Sequence, residues 1–202
     1  MSGGSEQPER LHEKVATHID RLRGPAGSER RQSALAVLER AATNPKAFAS
    51  HLDASLAVIA SEPPGARWAA AASIGHVATH HPGMIAPSAD RLLELLEDEE
   101  ATVREPISSA LVAIVPEREI PTSPLLSTIE RDDAPAAEAV DVAATVATTR
   151  PETLSSDRIE QLLGTNPAAD ACARYLLTIL SATGPGVTAP NAPDPPGFEA
   201  LA

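Results

Sequence analysis

Aromatic side chains are scarce in this chain, which has one Trp, one Tyr and two Phe in 202 residues. Its core cannot be built on large rings, so the elements must approach closely over the Ala, Leu, Val and Ile that dominate a hydrophobic content of 43%. Lysine is scarcer still, with only Lys14 and Lys46. A single cysteine, Cys172, excludes a disulfide within the chain and points to a reducing compartment. No apolar run approaches the ~20 residues of a membrane helix. The start, Met1 to Gln7, has neither the basic residues nor the apolar stretch of a secretion signal. The cytoplasm is the expected location.

Positive charge is also in short supply, with 16 basic against 28 acidic residues and a net charge of −12. A field of that sign repels phosphate backbones and anionic lipid, so nucleic acid and membrane surfaces are not expected partners. An acidic, lysine-poor, alanine-rich chain looks like the cytoplasmic proteins of haloarchaea, and salt adaptation is the corresponding expectation.

Alternation with period two is missing, and no turn of the Asn-Gly type joins two β-branched runs, so no sheet is expected. The apolar residues instead recur at helical spacing. Leu11, Val15, Ile19 and Leu22 form one stripe, ended by Gly24-Pro25. Ser28 is placed to cap a second helix with Leu35, Val37, Leu38, Ala41 and Ala42 turned inward. Asn44-Pro45 and Pro63-Pro64-Gly65 start further helices, as expected when 19 prolines are confined to helix ends and tails. Later stripes run through Leu92–Leu96, 101–115, Leu125–Ile129, Val140–Val146, Ile159–Leu163 and Leu176–Leu180. About ten helices result.

These helices repeat. Sliding the stretch Leu92–Val115 back by 37 residues lays Arg104 on Arg67, Ile107 on Ala70, Leu111 on Ile74 and Ile114 on Val77. A further 36 lays Arg67 on Arg31 and Ile74 on Leu38. Forward by 33 and 66 the apolar positions persist, but Arg104 meets Ala137 and Asp170. Five helical hairpins are read, near 9–43, 44–81, 82–116, 120–149 and 152–182. Residues 1–8 form a flexible leader in this division, 9–182 one repeat domain, and 183–202 a Pro/Gly-rich disordered tail.

In Leu92, Leu93, Leu95, Leu96, Asp98, Val103, Arg104, Ala110 and Leu111, the third unit resembles a HEAT repeat. The resemblance is good there, fair in the second unit and weak elsewhere. It implies an all-α fold, a right-handed α-solenoid of about five antiparallel hairpins of the HEAT/armadillo kind. It also implies a concave face lined by second helices. On that face the register sets Arg67, Trp68, Ala71, Gly75, Arg104, Glu105, Ser108 and Val112. Trp68 over small neighbours reads as a partner's anchor or as filler of the next hairpin. Arg67 and Arg104 have a structural alternative, holding turn acids such as Glu62 and Asp98.

Catalytic patterns are thin. His76 and His80 share a helix face at metal-chelating spacing, but two ligands are too few and helix C-termini favour His in any case. His12-Glu13 is one His-Glu step where the HEAT-like di-iron hydroxylases carry several. The runs Glu97–Glu100 and Asp132-Asp133 lack a calcium loop's spacing. Cys172 reads as a packed thiol. The expected function is a non-catalytic protein-binding scaffold with another protein as partner, no cofactor and no metal. The binding candidates are Arg67, Trp68, Gly75, Arg104, Glu105 and Ser108. The alternative is a HEAT-like enzyme, bilin-lyase-like or DNA-glycosylase-like; the latter needs a basic groove that a chain at −12 does not favour.

Overall fold

A computed structural model describes residues 8–25, 27–61, 63–131 and 136–183. Every regular element among them is helical. The first unit is α1 (Pro8–Leu22) and α2 (Ser28–Thr43). The second is α3 (Pro45–Ala49), α4 (Leu52–Ser61) and α5 (Pro64–His80), and the third is α6 (Pro82–Ile85), α7 (Ala89–Leu95) and α8 (Ala101–Ile114). Then come α9 (Thr122–Glu130) with α10 (Ala136–Thr149), and α11 (Ser156–Glu160) with α12 (Pro167–Thr183). Two 3-10 turns, Ala86–Ser88 and Pro151–Thr153, complete the set.

The element ends follow local chemistry. Pro45, Pro64 and Pro82 occupy the first helical turn, where a missing N–H costs nothing. The first arms of units two and three are broken, at Ser50-His51 and at the 3-10 turn around Pro87, so the helices outnumber the ten expected. Ser28 does not cap α2 but is its first residue, after Gly27. Pro8 opens α1 and Thr183 closes α12, one residue beyond each edge of the expected domain. Leu162 and Leu163 lie past α11 in a turn, the former buried and the latter exposed. Residues 1–7, Glu62, Asp132-Asp133 and 184–202 lie outside the described residues, and with them the leader and the tail.

The two most extensive helix contacts are α5 on α8 and α2 on α5, and the succession of second arms continues as α8 on α10 and α10 on α12. Each second arm also packs on its own first arm, as α1 on α2, α4 on α5, α7 on α8, α9 on α10 and α11 on α12. One apolar cluster extends from Val15 to Ile179. It is built on small residues where helices meet closely, with Ala66, Ala70, Ala71, Ala78, Ala139, Ala143 and Ala147 all buried in it. At Gly75 the fit is tightest. A Cβ there would stand 2.7 Å from the Pro106 carbonyl oxygen and 3.2 Å from its Cβ, so only glycine lets α5 approach α8. Among the described residues no helix is long and apolar enough to cross a membrane.

Arginine ties one unit to the next. The Arg67 guanidinium reaches Asp98 and donates to Glu100 Oε1 at 3.2 Å, and its Nε donates to the Ile59 carbonyl at 2.8 Å. Arg91 pairs with Asp53, Arg118 with Asp90, Arg131 with Glu97 and Arg158 with Glu130. Arg150 donates to the Val115 and Pro116 carbonyls, and Asn166 to that of Glu130. Apart from Ile59, which lies 8 residues before Arg67, these partners are 28 to 38 residues apart, close to the period of the apolar pattern. A guanidinium suits the task because its fixed fork holds several carbonyl and carboxylate oxygens at once.

Candidate functional site

The six sequence-picked residues fall into two groups. Arg104 is a strut, only 5% exposed. Its Nε donates to Glu138 Oε1 at 3.0 Å, and its Nη1 to the carbonyls of Asp98 and Glu99 at 2.9 and 3.0 Å. Ser108, equally buried, donates to the Glu138 carbonyl at 3.2 Å. Gly75 and Ala71 are buried, Gly75 against α8. Arg67 is half-buried in its clasp on Asp98 and Glu100. The expectation that these positions line an open wall therefore does not hold for Gly75, Arg104 and Ser108. The next second arm packs directly over them, since small residues invite close helix approach rather than leaving a cleft. Asp98 serves the Arg of the preceding unit, Arg67, while Arg104 reaches forward to Glu138. Trp68 and Glu105 do face solvent.

Trp68 is 41% exposed and Leu35 66%. The two border one groove between the N-terminal halves of α2 and α5, with a volume of about 650 Å³. Gly27, Ala34, Pro63, Gly65 and Ala66 line it, and Arg30 and Arg31 stand at its edge. A Cβ on Gly27 or Gly65 would meet nothing within 4 Å, so the groove is open where these glycines lie. Of the α2 residues that the helical stripe turns inward, Val37 and Ala41 are buried, whereas Leu35 and Ala42 are exposed. The α2 side of the groove was missed for that reason. Its signal was present: apolar residues cover too wide an arc of α2 for one buried stripe. The space around the indole lies toward α2, not toward Ala71 and Gly75.

No family model matches this chain. No curated protein matches it either.

A second groove of about 400 Å³ lies among α8, α10 and α12, bordered by Val112, Asp141, Thr145, Thr148 and Tyr175. Partial desolvation, and then the charge of Glu138, push the Asp141 carboxyl above its ordinary range. The imidazoles of His76 and His80 lie with ring centroids 4.5 Å apart on an exposed face, and His80 Nδ1 sits 2.9 Å from the His76 carbonyl oxygen. That contact places the His80 proton on Nδ1. No group of three or more metal-ligating side chains converges among the described residues. His12 Nδ1 lies 2.8 Å from Ser50 Oγ, joining α1 to the break between α3 and α4. Glu97 pairs with Arg131, and Asp98 Oδ1 accepts the Glu100 N–H at 3.0 Å, so this acidic run belongs to the clasps between units. Cys172 is buried.

Proposed function

We propose that the chain is a HEAT-like, right-handed α-solenoid that acts as a non-catalytic scaffold for another protein, with the groove beside Trp68 as its anchor site. The observation that carries the reading is the pairing of exposed Trp68 and Leu35 on an almost wholly apolar groove in a surface otherwise dominated by acid. Exposed apolar side chains scattered singly are ordinary, but a contiguous apolar groove rimmed by polar residues marks interaction sites. Trp is also the residue type most often found to dominate interface energy. The two arginines at the edge define the partner's chemistry: an apolar segment bearing carboxylates, drawn to the one basic edge this groove offers. The solenoid reading is supported by the succession of second arms from α2 to α12 and by arginine ties at the spacing of the repeat.

The test compares partner capture by the wild type with capture by Trp68→Ala and Gly65→Leu. The first variant removes the anchor; the second fills the groove from a position with free space. Both variants are expected to fold and to lose the same captured protein. Capture that persists in both variants overturns the site, and the loss of capture only on unfolding does so equally.

A further inference from the structure

We infer that a further groove, where α1, the junction of α2 with α3 and α6 meet, binds a small organic acid. The anionic head of the ligand lies on Lys46, His12 and His81, and its apolar body lies along Leu11 and Met84. The inference is independent of the groove beside Trp68. Thr43 stands twelve residues along α2 from Arg31 (43 − 31), which separates the two grooves by ~18 Å.

Three observations converge. The first is charge. The chain holds 28 acidic residues and two lysines, yet among the described residues no carboxylate borders this groove. Lys46 borders it instead, with His12 and His81. Lys46 is exposed, and its ammonium is in no ion pair among the described residues. In a chain of net charge −12, an ammonium without a carboxylate beside it is a local reversal of the field, and an anion repelled elsewhere settles there. The second is a set of spare hydrogen-bonding groups. The Ser50 hydroxyl donates to the Ala47 carbonyl at 2.8 Å, so it accepts from His12 Nδ1, also at 2.8 Å. The other ring nitrogen, Nε2, is left for a ligand, and in the imidazolium form it donates. Asn44 gives one amide hydrogen to Thr43 Oγ1 at 3.1 Å and keeps a second. The His81 imidazole is exposed and has no partner among the described residues. The third is shape. The groove has a volume of about 430 Å³, within the ~300–1,000 Å³ of small-molecule sites. Leu11 and Met84 are packed against the core on one side and border the groove on the other.

Neither half of the groove suffices alone. An exposed ammonium holds a free ion weakly, because water and salt screen the pair. An apolar wall of two side chains gives little grip and no direction. A ligand that carries a charged head and a short apolar body uses both at once, and charge-assisted hydrogen bonds from the imidazoles then fix its orientation.

The test titrates the isotope-labelled full chain with three probes and follows its backbone amide resonances. Hexanoate has the head and the tail, hexanol the tail alone, and inorganic phosphate a head alone. Hexanoate is expected to shift the resonances of Leu11, Lys46 and Met84 saturably, and to bind them at least ~10-fold more tightly than either partial probe. Lys46→Glu should abolish these shifts. Lys46→Met, which keeps an apolar stem and drops the charge, should weaken hexanoate by ~10-fold or more. Both substitutions fall on an exposed position, so the remaining spectrum should stay that of the folded chain. Hexanol binding as tightly as hexanoate leaves only an apolar patch, and phosphate doing so leaves an adventitious ion only; either overturns the inference. So do the absence of saturable shifts, shifts confined to Leu35 and Trp68, and hexanoate binding that Lys46→Met leaves intact.

Discussion

At the scale of the residue, the small side chains separate packing from binding. Gly75 is a close-approach glycine inside a helix, where alanine is normally favoured by ~1 kcal/mol. Here the added methyl meets the Pro106 backbone at 2.7 Å, so Gly75→Ala is expected to lower stability by ~1–3 kcal/mol, the cost of overpacking, despite its better helix propensity. Chemical denaturation reads the sign directly, and a stabilised variant would show that α5 and α8 stand further apart. Gly65, with open space around it, tolerates the larger substitution. Asp141 makes the opposite case among the acids. Its raised carboxyl means that the folded state holds the proton more tightly than the unfolded chain does. Ionisation therefore removes stability as pH rises through the window just above the ordinary carboxylate value. The ionised carboxylate is the form that burial penalises, so Asp141→Asn is expected to raise the melting midpoint above that window, and a lowered midpoint would contradict the desolvation.

At the scale of the element, α1 packs on α2 with one polar misfit between them. His18 is half-buried on α1, and its Nδ1 finds no hydrogen-bond partner among the described residues. Burial, and then the charges of Arg21 and Arg40, hold its pKa below the ordinary value, with Glu39 acting in the other direction. The unfolded chain then binds the proton more readily than the folded one. The folded state keeps its full advantage above ~6.5 and loses it as pH falls from there through the depressed value. Melting midpoints from neutral to mildly acid pH should fall in the wild type and fall less in His18→Gln; parallel curves would contradict this. The element scale is also where the sequence was most legible. The stripes of Leu, Val and Ile and the prolines at helix starts located most helix ends to within a few residues, because periodicity and proline sterics are local. What lay between units was not legible. That Arg67 would cross to Asp98, that Arg104 and Ser108 would vanish under α10, and that Leu35 would stay in water depend on how closely neighbouring arms approach. Helical spacing along one arm carries no record of that distance.

At the scale of the whole molecule, charge and arginine work against each other. Net charge −12 spreads repulsion over the surface, and added salt screens it. The same salt weakens the exposed ties, Arg91 to Asp53, Arg118 to Asp90 and Arg131 to Glu97, but exposed pairs are worth only ~0–1 kcal/mol each. Screening of the net repulsion should win, so the melting midpoint is expected to rise from low to molar KCl, and a flat or falling series would count against salt adaptation. Beneath the surface one tie is of a different kind. Arg104 and Glu138 are almost wholly enclosed, with side chains 6% and 12% exposed, and the same guanidinium serves two carbonyls of its own turn. Removing it strands a buried carboxylate, a loss of ~3–5 kcal/mol. The division between what holds the helices together and the proposed binding groove is decided by melting Arg104→Ala and Trp68→Ala side by side in one buffer. Arg104→Ala should lose those several kcal/mol. Trp68→Ala should lose only ~1 kcal/mol, well short of the ~3–5 kcal/mol of a core aromatic, because the indole is 41% exposed. A Trp68→Ala midpoint that collapses as far as that of Arg104→Ala would make the indole part of the core and remove the binding site from this groove.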